Sequence, residues 1–185
     1  MSRPKLIIIP GIGDRSHAYT FFAFAWHLMG FDVHILPFGW IYPDARLTVK
    51  TEEFLRLLGG FGKEPLHIIG VSAGGVAAVR IFARVNSVDR IITVGTPFKD
   101  FPDLKNRLLA DSISGVREDL SRLSPGRKQR ILSVHGLYDQ VVPVHMSQPK
   151  GVRTLRVWAV LHALIILIAL TCCGLRLRRF LRTGE

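Results

Sequence analysis

The chain has 185 residues, enough for one domain with a substantial core, and 48% of them are hydrophobic against 21% charged. Its 25 Lys and Arg outnumber 14 Asp and Glu for a net charge of +11. No aromatic-basic interleaving or nucleic-acid motif accompanies that charge, so no nucleic-acid partner is expected. The two cysteines, Cys172 and Cys173, are adjacent and cannot cross-link each other in the ordinary way, which argues for a reducing compartment or for no redox role.

The elements alternate along the chain. Leu6–Ile9 reads as a first strand closed by the turn signal Pro10-Gly11, and its apolar run is too short for the core of a cleaved export signal. Ser16 to Met29 places Ala18, Phe22, Ala25, Trp26 and Met29 at helical spacing and stops at Gly30. Phe31–Phe38 is a second strand, followed by a loop with Pro43. Thr48 to Leu58 is a helix with Phe54, Leu57 and Leu58 on one face, ended by Gly59-Gly60. Leu66–Ile69 is a third strand and Ala73 to Arg84 its helix. Arg90–Val94 is a fourth strand, ended by Gly95-Thr96-Pro97. Residues 98–128 have room for a short helical segment or small cap. Arg130–His135 and Val152–Trp158 complete six strands. Runs that are mostly apolar rather than alternating predict a parallel sheet buried on both faces, an α/β, doubly wound single domain over residues 1–185.

In such sheets ligands bind beyond the carboxyl ends of the strands, so chemistry is sought there. The third strand runs directly into Gly70-Val71-Ser72-Ala73-Gly74, a Gly-x-Ser-x-Gly between a strand and a small-residue helix. That is how a serine nucleophile is mounted on a sharp turn, with glycines where strand and helix pass closely. After the first strand comes Pro10-Gly11-Ile12-Gly13, after the fifth His135-Gly136-Leu137-Tyr138-Asp139-Gln140-Val141-Val142-Pro143, and after the sixth His162.

This chain order of nucleophile, acid and histidine, preceded by a glycine-rich loop, resembles the α/β-hydrolase family from Lys5 to about Arg182. The resemblance implies a minimal fold, an about six-stranded sheet in the order 2-1-3-4-5-6, and a lipase- or esterase-like serine hydrolase. Ser72 would be the nucleophile, His162 the base and Asp139 the acid that orients it. The backbone N–H groups of Ala73 and Ile12 would form the oxyanion hole, with Gly11 and Gly13 as neighbours of Ile12. The substrate would be a small-molecule or lipid-like carboxylic ester. No cofactor or metal is called for. The family often has a glycine before its histidine, where this chain has Leu161; His135 and His145 are the rivals for the base. Asp111 and Asp119 are expected to be solvated. A non-catalytic scaffold of the same fold and an acyltransferase using the same residues are the alternatives.

Other ligand signatures fail. Gly11-Ile12-Gly13 lacks the third glycine of a dinucleotide fingerprint, where Ser16 stands, and no acid closes the second strand. Gly59-Gly60-Phe61-Gly62-Lys63 lacks the Walker spacing. His17, His27, His34 and His67 have no metal-ligand spacing.

The uncharged stretch Val157–Leu175 between Arg156 and Arg176 has the length of a membrane span. The fold needs it otherwise, as the end of the last strand, the loop holding His162, and a C-terminal helix over residues 163–182. That helix would pack through Leu164, Ile165, Ile168 and Leu175. The expected location is cytoplasmic, with peripheral membrane contact through the basic C-terminal helix left open.

Overall fold

The structure, a computed structural model, describes residues 3–13, 16–40, 47–61, 64–99 and 107–185. Pro43, Gly62, Lys63, residues 100–106 of the expected cap segment and the side chain of Ala18 lie outside the described residues. The elements are β1 (Lys5–Ile9), α1 (Ser16–Leu28), β2 (Asp32–Ile35), α2 (Leu47–Gly59), β3 (Leu66–Val71), α3 (Ala73–Arg84), β4 (Val88–Val94), α4 (Arg107–Arg122), α5 (Pro125–Lys128), β5 (Ile131–His135), β6 (Arg153–Arg156), α6 (His162–Leu170) and α7 (Gly174–Thr183). A single 3-10 turn, Val144–Met146, lies between β5 and β6. All six strands are parallel, in the order β2-β1-β3-β4-β5-β6.

Two apolar layers cover the sheet because its central strands are buried on both faces. Ile7, Ile9, Ile68 and Ile91 point to one side, where α2, α3 and α4 supply Phe54, Val76, Phe82, Ile113 and Val116. Leu6, Ile8, Ile69, Ile92 and Val134 point to the other, where α1, α6 and α7 supply Trp26, Ile165, Leu170, Leu177 and Phe180. Trp26 is fully buried, and removing roughly 200 Å² of aromatic surface from water stabilises by about 5 kcal/mol. Its indole N–H donates to Leu170 O at 3.2 Å, tying α1 to α6.

Three expectations are corrected. The sixth strand ends at Arg156, not Trp158: Val157–Leu161 is irregular, although Val157 N–H still donates to His135 O and Ala159 O accepts from Leu137 N–H. The C-terminal helix is two helices, α6 and α7, broken at residues 171–173. The break reverses part of the packing: Ile165 is buried and Ile168 packs on the core as expected, but Leu164 and Leu175 are exposed, and Ala169, Leu170, Leu177, Phe180 and Leu181 are buried in their place. Among the described residues no helix is long and apolar enough to cross a membrane. Asp119 is buried rather than solvated, since α4 packs on α3 and places the carboxylate 2.8 Å from Arg84 and 3.7 Å from Arg80. Asp111 is exposed.

Candidate active site

The site is assembled where four strands end. β3 passes into α3 through Ser72, whose φ of 53° and ψ of −124° make it the one non-glycine residue with positive φ among the described residues. Such a conformation costs of order 1–3 kcal/mol and persists only where the surroundings over-determine it. Here they do. Ser72 N–H donates to Val94 O at 2.7 Å, and Ser72 O accepts from Gly75 N–H and from Thr96 Oγ1, each at 3.0 Å. Glycine is required around the turn for lack of space: a Cβ on Gly70 would strike Gly75, and one on Gly74 would strike Ile9 O and Pro10 O.

The loop after β1 lies over this turn. A Cβ on Gly11 would come 2.9 Å from Ser72 Cβ, so the loop passes directly beside the serine at Gly11. Trp40, itself buried, holds the loop by donating its indole N–H to Pro10 O at 3.3 Å. The Ile12 side chain is exposed, while Ala73 is buried as the first residue of α3. Its N–H is among those with no partner inside the helix, at the positive end of the helix dipole.

Asp139 follows β5. Its Oδ1 accepts the N–H groups of Val141 and Val142, each at 2.8 Å, a local turn that fixes the carboxylate. Its Oδ2 lies 2.7 Å from His162 Nδ1, and both side chains are largely buried, 3% and 13% exposed. A carboxylate only accepts, so Nδ1 carries the proton; in the neutral ring Nε2 is then left with its lone pair. His162 is the first residue of α6, and its N–H donates to Gln140 Oε1 at 3.1 Å.

The imidazole rests against the end of β4. A Cβ on Gly95, which has φ of +57°, would come 2.9 Å from His162 Cε1 and 3.6 Å from Asp139 Oδ2. Ser72 is bonded to Val94 and the ring packs on Gly95, so serine and histidine flank one step of the same strand end. Ser72 Oγ makes no hydrogen bond to another described residue in this state. His135 is occupied at both nitrogens, with Gly136 O and the Gln148 amide each 3.0 Å away, and His145 is exposed on the 3-10 turn. The supporting roles of Thr96, Trp40 and Gln140 were not legible in the sequence. Gly95-Thr96-Pro97 marked the place, but the partners come from elements far along the chain.

No protein-family model matches the chain, and no curated protein matches it in sequence. Solved structures do match in shape. A monoacylglycerol lipase of Paleococcus ferrophilus is 10% identical with a TM-score of 0.75, over 100% of this chain and 97% of that one. An esterase domain of a Rhodothermus marinus protein is 16% identical with a TM-score of 0.67, over 95% and 86%. A structure from work on carboxylesterases of Nitrososphaera gargenis is 13% identical with a TM-score of 0.70, over 95% and 91%. At these identities what is shared is architecture: the chain has the α/β-hydrolase fold.

Proposed function

We propose that the protein is a serine hydrolase that cleaves carboxylic esters through an acyl-enzyme intermediate. The observation that carries this reading is the 2.7 Å Asp139–His162 pair, held against the same strand end to which the strained Ser72 turn is bonded. Ser72 Oγ attacks the ester carbonyl carbon while its proton passes to His162 Nε2. Collapse of the tetrahedral intermediate breaks the C–O bond, and the alcohol leaves with that proton. Water then attacks the acyl-enzyme, gives a proton to Nε2, and Ser72 departs reprotonated as the acid is released. Asp139 keeps the proton on Nδ1 and stabilises the imidazolium.

The Ala73 and Ile12 N–H groups are the proposed donors to the developing oxyanion, each worth about 3–4 kcal/mol to the transition state. Exposed apolar side chains around the mouth, Leu137, Tyr138, Val141, Val160 and Leu161, favour a substrate with an apolar acyl or alcohol part. The chemistry calls for no cofactor or metal. Both cysteines are free thiols, in keeping with a cytoplasmic location.

Labelling with a fluorophosphonate probe tests the reading. Wild type is expected to label at Ser72, and Ser72→Ala, His162→Ala and Asp139→Asn to label at least about a thousand-fold more slowly or not at all. An unlabelled wild type, or undiminished labelling of Ser72→Ala, refutes it.

A further inference from the structure

The two helix layers differ in chemistry. The α2/α3/α4 side carries Glu52, Glu53, Asp111, Glu118 and Asp119, whereas α1, α6 and α7 contain no acidic residue at all. From Gln140 to Gly184 the sequence has no Asp or Glu. Beside the shared apolar core, this second layer is tied by contacts that include Trp26 to Leu170 O, Met29 against Gly174, and the Arg182 guanidinium to Gly30 O at 3.3 Å. Its inner face is spent on the core, so what remains is its outer face.

That outer face is apolar where a solvated helix would be polar. On α1, Phe21, Phe24 and Leu28 are 62, 63 and 71% exposed, and their spacing puts them on one stripe. In the same layer Leu164 and Leu167 on α6 are exposed too, and Leu175 on α7 is 72% exposed. Arg176, Arg179 and Arg182 recur every third residue on α7 and are all exposed. Trp158, 80% exposed, precedes α6 and lies four residues before His162.

We propose that the outer face of α1, α6 and α7 seats the protein on an anionic lipid surface. The apolar stripe would enter the headgroup boundary while the arginines meet lipid phosphates. Charge selects this occupant. A second copy of the chain would set the same arginines against one another, with only Glu185, already paired with Arg179, to offset them. Neutral lipid would offer no net countercharge to Arg176, Arg179 and Arg182. Where the hydrolase reading holds, the seat also brings the mouth of the site to the rim of the bilayer, but binding itself does not depend on that reading.

Flotation of the purified full chain tests this, with vesicles of phosphatidylcholine alone and of equimolar phosphatidylcholine and phosphatidylglycerol. The chain is expected to float with the anionic vesicles only, and to be released when salt rises from about 0.1 to about 1 M and the Debye length shrinks from about 10 to about 3 Å. Arg176→Gln and Arg179→Gln should each lower the partition coefficient about fivefold, and Phe21→Ser with Phe24→Ser should lower it more than tenfold. These positions are exposed, so an unchanged melting temperature verifies the fold. Ser72→Ala should float like wild type, which separates this proposal from failure of the hydrolase reading. No flotation with anionic vesicles, equal flotation with neutral ones, or a dimer in sedimentation that the Phe21/Phe24 variant disperses would each overturn it.

Discussion

Ser72 stands in a conformation that a side chain rarely adopts, and its two backbone polar groups explain how it stays there. The donor goes to β4 and the acceptor takes two hydrogens, one from α3 and one from Thr96, which is completely buried. Thr96 touches no reacting atom in the proposed mechanism, so it acts as a positioning residue. Thr96→Val keeps the shape and removes the hydroxyl, and leaves Ser72 O with one partner. Stability is expected to fall by about 1 kcal/mol. On the hydrolase reading, kcat for a model ester falls about tenfold with KM within about twofold, because the serine's aim is lost and not its pocket. Thr96→Ser should restore most of kcat. A fall in stability with unchanged kcat would make Thr96 merely structural.

At the scale of elements, the sequence was legible where one force decided the outcome. β1, β3 and β4 are apolar because both faces are buried, and the Gly-x-Ser-x-Gly turn could hardly be mistaken because Gly70 and Gly74 have neighbours that exclude any side chain. It was not legible where partners distant in sequence decided. Gly174 marks the break between α6 and α7 only weakly: the break falls where Gly174 packs against Met29, just past the end of α1, and Cys173 N–H reaches back to Ile168 O. Val157 and Ala159 are apolar like strand residues, yet Val157 N–H meets only the last residue of β5, His135, and Ala159 O accepts from Leu137 in the loop beyond it. Asp119 read as solvated because the arginines that bury it, Arg80 and Arg84, are on another helix. Removing it should therefore be costly. Burial already lowers the pKa of Arg80, an effect that Asp119 opposes, so Asp119→Ala leaves a poorly solvated cation with only Ser112 O and the charge of Glu118 to offset it. A loss of about 3 kcal/mol is expected in urea unfolding, with fluorophosphonate labelling of the folded fraction unchanged. A loss under about 1 kcal/mol would mean the pair is a surface contact.

At the scale of the whole molecule the acidic helix residues lie in one layer and α1, α6 and α7 carry none, and a buried titratable group, His67, lies on that second side. His67, on β3, points into the α1/α6/α7 layer with its ring edge-on to Phe31 and only 3% exposed. Its Nδ1 is buried without a hydrogen-bond partner among the described residues. Burial is the main reason that its pKa falls from 6.5 to about 4; Asp89 pulls upward, and Arg90 and Arg182 push further down. Between those two values the unfolded chain holds a proton that the folded chain refuses, so stability rises with pH across that window. The contribution is complete above about pH 6.5 and is lost progressively as the pH falls toward about 4, at about 1.4 kcal/mol per pH unit. Urea unfolding from about pH 7.5 to about pH 4 should thus show about 3 kcal/mol of acid destabilisation that His67→Leu lacks. Equal pH slopes in the two proteins would assign the acid sensitivity to other groups. The same desolvation that makes His67 refuse its proton requires a layer sealed from water, so the slope also reports whether α1 and α7 stay closed over β3 in solution.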